Sequence, residues 1–228
     1  TLVRTCRGLC SLDLSRTRMR DEGATQLLHA LVHDPGTGAH SPLRELRHLA
    51  LEDNGLTASM GLELARVALH IPLEALLVAR NEIGDSGAEV LASTALAEDG
   101  FNQAKLRRLD LSENQLTASG LATLLDALGT NSLLQTLDVG GNEHIGGTLM
   151  SSTEIPQQVA DGLAGAACLR ELHLWRCRLP DTACQLVVGA QPPQLALLNL
   201  AMNPISAVLW QRLGRPCGDS SASAAIRL

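Results

Sequence analysis

The stretch LRRLDLSENQLTASGLATLLDAL, Leu106 to Leu128, carries two periodicities back to back. In its first half Leu109 and Leu111 alternate with Asp110 and Ser112, the period of a strand buried on one face. In its second half Leu121, Leu124, Leu125 and Leu128 recur at three- and four-residue spacing, which places them on one face of a helix. Asn114 stands between the two, and Thr117 or Ser119 supplies a capping oxygen where the helix begins. The segment therefore reads as strand, turn and helix.

The same unit repeats outward in both directions. The pattern L-x-x-L-x-L-x-x-N begins at Leu9, Leu46, Leu73, Leu106, Leu134, Leu169 and Leu195. Its second apolar position is always Leu and its third is Leu or Val, a register that chance does not sustain over seven copies. The ninth position holds Thr17, Asn54, Asn81, Asn114, Asn142, Cys177 and Asn203. A short polar side chain there satisfies backbone groups where the chain leaves the strand, since each buried unpaired group costs about 1–3 kcal/mol. The asparagines are thus read as structural. Two residues on comes another apolar residue (Met19, Leu56, Ile83, Leu116, Leu179, Ile205), shifted by one to Ile145 in the fifth repeat. Gly23, Gly61, Gly87 and Gly120 precede or open the helices.

Parallel strands stack about 4.8 Å apart, whereas packed helices need about 8–10 Å. A row of strands backed by a row of helices must curve, with the sheet inside. The expected fold is an α/β solenoid with a concave parallel sheet and a convex helical layer. The domain spans 1–217, with insertions at His33 to Pro42, Ala97 to Lys105 and Gly146 to Pro156. A Ser- and Ala-rich tail, 218–228, follows, with a last contact expected through Ile226 and Leu228. Residues 1–8 parallel the approach to the fifth repeat, so the chain reads as a piece of a longer array.

These units resemble the ribonuclease-inhibitor class of leucine-rich repeats, and the resemblance covers Leu9 to about Leu213. It implies a right-handed horseshoe, and it accommodates Cys177, because that class places Cys as well as Asn at the ninth position. The class is shared with the GTPase-activating protein of Ran and with NOD-like receptors. It therefore leaves a GTPase-activating module and a ligand-sensing receptor domain as alternatives to a scaffold.

Composition narrows the partners. A net charge of -6, from 24 acidic against 18 basic residues, argues against a nucleic-acid backbone or an anionic membrane. No apolar run approaches the roughly 18 residues of a membrane span. The six cysteines have no framework spacing and no CxxC pair, so reduced and mostly buried thiols are expected. No asparagine begins a glycosylation sequon, which agrees with a cytoplasmic protein or a subunit of a cytoskeletal or organellar assembly.

Chemistry finds little support. The run GGNEHIGGT, Gly140 to Thr148, lacks the Lys-Ser/Thr ending of a phosphate loop, and it reads instead as a strand end, a ladder asparagine and an inserted turn. His29 and His33, with Asp34 and His40 nearby, have spacing for a metal, but a solvated helix end is the simpler reading. No nucleophile signature surrounds any Ser or Cys. The expectation is a non-enzyme with no cofactor and no metal.

The concave face remains. Strand alternation sends three columns there: Asp13, Ala50, Leu77, Asp110, Asp138, His173, Asn199; then Ser15, Glu52, Ala79, Ser112, Gly140, Trp175, Ala201; then Arg16, Asp53, Arg80, Glu113, Gly141, Arg176, Met202. Acidic groups run through the first five repeats and end at His173, Trp175 and Arg176. Trp and Arg are enriched at interface hot spots. The candidate contacts are Trp175, His173, Arg176, Asp138, Asp110, Glu113, Glu52 and Asp53, and the expected partner is a protein with a basic surface, met within a larger complex.

Overall fold

The computed structural model describes residues 6, 8–33, 43, 45–96, 104–213 and 225–227. Eight three-residue strands occupy the strand positions of the repeats and one further place: β1 Ser11–Asp13, β2 His48–Ala50, β3 Ala75–Leu77, β4 Arg108–Asp110, β5 Thr136–Asp138, β6 Glu171–His173, β7 Leu197–Asn199 and β8 Ala225–Arg227. Eight helices accompany them: α1 Arg20–Val32, α2 Gly61–His70, α3 Gly84–Leu91, α4 Ala118–Leu128, α5 His144–Leu149, α6 Glu154–Gly165, α7 Asp181–Ala190 and α8 Ala207–Leu213. A 3-10 turn, Ala58–Met60, leads into α2, and a wider π turn, Ala92–Leu96, extends α3.

All eight strands are parallel and pair in chain order in one open sheet. Their register aligns Leu12, Leu49, Leu76, Leu109, Leu137, Leu172, Leu198 and Ile226 in one row. That row fills the space between sheet and helices, and the central leucines are fully buried. At about 25 cal/mol per Å² of apolar surface, this continuous core is the main stabilising term, shared between neighbours as in any solenoid. Leu9, Leu12 and Leu14 are only half-buried, because no described repeat covers their outer side. Ile226 lies in β8, inside the segment read from sequence as the tail.

The ninth-position side chains bridge adjacent repeats. Asn81 Oδ1 accepts from the N–H groups of Asn54 and Leu56, both at 3.0 Å, while its Nδ2 donates to the Leu51 and Val78 carbonyls at 3.0 and 2.8 Å. Asn142 does the same for Asn114, Leu116, Leu111 and Val139. Asn203 serves Cys177, Leu179, Leu174 and Leu200. Cys177 keeps only part of the role, donating its thiol to Val139 O at 3.4 Å.

A second ladder, absent from the sequence reading, runs along the helix starts. Asp21 accepts from the Thr57 N–H and hydroxyl, Asp85 from those of Thr117, and Asp181 from the Ser206 N–H. Each aspartate in the first turn of one helix thus holds the entry to the next, and Thr117 is the cap of α4 through Ser119 N–H. Burial works to raise the pKa of Asp21, but the bonds from Thr57 and Ser59 outweigh it and hold the carboxyl below its ordinary value.

Three expectations need correction or limits. The turn expected after Asn142 is helical: α5 buries Ile145 and Leu149, four apart on one face, and Gly146 N–H donates to Cys177 O at 2.9 Å. Gly146 is required there, because a Cβ would come within 2.0 Å of the Arg178 carbonyl oxygen. The cysteines are not mostly buried. Cys6 and Cys10 are exposed and Cys168 is half-buried, while Cys177 and Cys184 alone among the described cysteines lie in the core. The insertions after His33 and Leu96 fall largely outside the described residues, as do Asp34 and His40; the His29 and His33 rings stand 4.9 Å apart.

Burial pushes the Cys177 thiol up to about 12 and that of Cys184 up to about 11. The thiolate is the nucleophile, so neither is expected to react in the folded protein near neutral pH. Brief alkylation followed by peptide mapping should label Cys6 and Cys10 and leave Cys177 and Cys184 unmodified until denaturant is added. Rapid native labelling of Cys177 would contradict its place in the ladder.

Candidate protein-binding face

Between the inward leucines of each strand, alternate residues emerge on the concave side. Trp175, just past β6, is half-buried and lies across the neighbouring repeat. A Cβ built on Gly140 would fall 2.1 Å from the indole nitrogen and 2.3 Å from its Cδ1 and Cε2, so the ring rests on the backbone that only glycine leaves bare. Its far edge reaches Gly141, where a Cβ would lie 3.1 Å from Cη2. The indole N–H donates to Asp138 Oδ1 at 3.1 Å. The ring is thereby immobilised, lying over the Gly140 backbone.

Asp138 uses the same oxygen to accept from Gly140 N–H at 2.8 Å. Asp13, Asp110 and Asn199 make the equivalent bond to the residue two further on, so this column braces the strand ends. Asp110 is buried and is also bonded by the Ser112 hydroxyl at 2.7 Å. His173 is half-buried, with Nδ1 3.3 Å from Asn199 Nδ2 and Nε2 3.5 Å from Glu171 Oε2.

Burial raises the pKa of Asp138 above its ordinary value, and the charge of Asp110 adds to the rise; the bond from Gly140 N–H, the charge of His173 and the bond from Trp175 oppose it. The folded chain therefore binds this proton more tightly than the unfolded chain does. That stability is present below the ordinary aspartate range of about 4 and is lost as pH rises through the elevated folded value. Asp138→Asn keeps an oxygen for both N–H donors and removes the ionisation. Denaturant melts should find the variant more stable than wild type near neutral pH, with the gap closing in acid. A gap that widens in acid would reverse the sign of the Asp138 shift.

The third column leaves the sheet. Arg16, Asp53, Arg80, Glu113, Arg176 and Met202 have φ between 51 and 62°, and Gly141 has φ 70°, so the chain turns here into the left-handed region and these side chains form a rim. Acid does not dominate this rim, contrary to the sequence expectation: Arg80 Nε meets Glu113 Oε1 at 3.1 Å, and Arg176 Nε meets Glu143 Oε1 at 3.2 Å. Arg178 also pairs with Glu143. Of the candidate acids, Asp110 and Asp138 are committed to their own strands and Glu113 to Arg80. Glu52 is half-buried, and Asp53 is exposed on the rim of the second repeat.

The structure brings Trp175, Asp138, Arg176 and His173 together at the fifth and sixth repeats, and leaves Glu52 and Asp53 remote from them. Sequence reasoning put Met202 in the third column without choosing it as a contact, and it missed Arg178 and Glu143 altogether. Met202, 74% exposed, continues the rim beyond Arg176. Arg178 and Glu143, with Gly141 and Arg176, line a groove of about 370 Å³ beside the indole. The alternation rule identifies only strand residues, and Glu143 and Arg178 lie in the turns beyond.

An open parallel sheet, a helical layer and an asparagine ladder together define a leucine-rich-repeat solenoid. The chain is a leucine-rich-repeat protein of the ribonuclease-inhibitor type. A family model described as Leucine Rich repeat matches residues 71–92, 102–125 and 130–148. The chain is 29% identical over 211 residues to NACHT, LRR and PYD domains-containing protein 5 of Homo sapiens, covering 90% of this chain and 16% of that protein. It is 28% identical over 184 residues to ribonuclease inhibitor of Sus scrofa, covering 80% and 36% respectively. The chain thus spans well under half the length of these relatives. The tropomodulin C-terminal domain of Caenorhabditis elegans shares the fold at 14% identity, with a TM-score of 0.51 over 72% of this chain and 88% of that one. Repeats of this family are typically non-enzymatic protein-binding modules. Among the described residues no helix is long and apolar enough to cross a membrane.

Proposed function

We propose that the chain is a scaffold or regulatory module that seats a protein partner on the concave face at its fifth and sixth repeats. The observation that carries this reading is the indole of Trp175, pinned over Gly140 by its bond to Asp138 and still half-exposed. A large aromatic ordered before binding loses little entropy on contact. Met202 and the apolar stem of Arg176 extend the same surface. Glu52 and Asp53 lie four strands away, a distance of about 19 Å at the usual strand spacing. They are suited to a basic group on a partner broad enough to span the face. A thiol donor in the ladder at Cys177 suits a reducing compartment, so we place the protein in the cytoplasm, as a subunit of a larger assembly.

The test is quantitative capture from the native source with wild type and with Trp175→Ala in parallel. A partner set lost with the variant supports the reading. A set captured equally by both would move the interface to the convex helices or the insertions.

A further inference from the structure

We infer that the segment seated on Trp175 is a short one that carries an apolar residue and a carboxylate close together, and that Arg178 and Arg176 receive that carboxylate. This rests on Trp175 being the seat. Beside the indole the rim holds two guanidiniums, those of Arg176 and Arg178, against one carboxylate, Glu143, while further along it Arg80 meets Glu113 and also lies in the field of Asp53 and Glu52. Glu143 is shared by Arg176 and Arg178, one through each oxygen, so one positive charge is left over.

That excess is placed for a ligand. The Arg178 side chain is 71% exposed and that of Arg176 is 51% exposed, whereas Glu143 is 29% exposed. Both arginines have left-handed backbones, φ 51° and 54°, which turn them off the sheet onto the groove that Gly141 keeps free of side chain. A guanidinium presents a fork of donors, of which Glu143 engages a part, and the remainder matches a second carboxylate. Asp138 and Asp110 accept from Gly140, Trp175 and Ser112, and neither is paired with an arginine of the rim. On the rim of the following repeat, next after Arg176 in the column, stands exposed Met202. Apolar surface and spare guanidinium donors side by side define the two groups that the segment must carry close together.

Phage-displayed twelve-residue peptides selected on the full chain test this, with parallel selections on Arg178→Glu, on Arg176→Asn with Arg178→Asn, and on Trp175→Ala. Asparagine tolerates the left-handed backbone, and thermal melts verify that each variant is folded. Wild type should enrich peptides pairing Leu, Phe or Trp with Asp or Glu, and the best of these should bind the double asparagine variant at least about tenfold more weakly by fluorescence titration. Arg178→Glu should shift the selected charge to Lys or Arg. Peptides without acidic bias, acidic peptides unaffected by the double variant, or no enrichment on wild type would each overturn the inference. If binding is lost in Trp175→Ala while the arginine variants bind as wild type, the seat stands and the carboxylate site fails. If Trp175→Ala binds as wild type, the seat itself fails.

Discussion

Trp175→Ala is expected to weaken partner binding at least about tenfold, some 1.4 kcal/mol, with much of the fold's stability retained. The indole is held between a glycine backbone and the Asp138 carboxylate, outside the leucine core, so its removal leaves the Leu172 and Leu174 packing intact. What it removes is a rigid contact surface. It also frees Asp138 Oδ2 to water, a small change for a carboxylate that retains the Gly140 N–H. The companion variant Gly140→Ala keeps the tryptophan but places a methyl group where the ring now lies, 2.1 Å from its nitrogen. The indole must lift or swing away, and binding is expected to fall as it does in Trp175→Ala. Calorimetric titration of a captured partner against both variants reads the two losses together. Unchanged affinity in Gly140→Ala, with the fold intact, would show that the pose of the ring is irrelevant and that the contact is generic.

Asn114→Ala should cost about 2 kcal/mol of folding stability, within the 1–3 kcal/mol range for a buried polar group left without its partner. The reasoning counts what is orphaned. Asn114 is fully buried; its Oδ1 accepts from Ile83 N–H, and its Nδ2 donates to the carbonyls of Val78 and Ser112. Both carbonyls keep another donor, Asn81 Nδ2 for Val78 and Arg80 N–H for Ser112. Only the Ile83 N–H loses its acceptor, in a dry site between repeats, together with the packing of the amide. Because repeats stabilise one another through shared interfaces, the loss weakens both the third and fourth units. Denaturant melts measure it, and a change of a few tenths of a kcal/mol would mean that the turn finds another acceptor.

The leucine row, the strand register and the inner position of Trp175 were legible from spacing. Strand alternation has period two, and a slip of one residue would expose every leucine. Asn54, Asn81, Asn142 and Asn203 could be assigned to the ladder for the same reason, since their place in the unit never varies. Even the bareness of Gly140 beneath the indole followed from lining up neighbouring repeats. Cys6 and Cys10 were misjudged because burial was inferred from residue type, whereas Cys10 belongs to the first repeat and Cys6 just precedes it, and that repeat has no described neighbour on its outer side.

Regular spacing therefore specified the parts of this protein that depend on the backbone period: strand, helix, core row and ladder. The chemistry of the binding face depended on distances between residues far apart in the chain. That Glu113 belongs to Arg80, that Glu143 is divided between Arg176 and Arg178, and that Asp138 carries both Gly140 and Trp175 are facts of the rim and strand ends. There the left-handed turns aim each side chain independently of the strand alternation. A column of letters shows which charges are present; only the folded turns decide which of them are already neutralised and which remain for a partner.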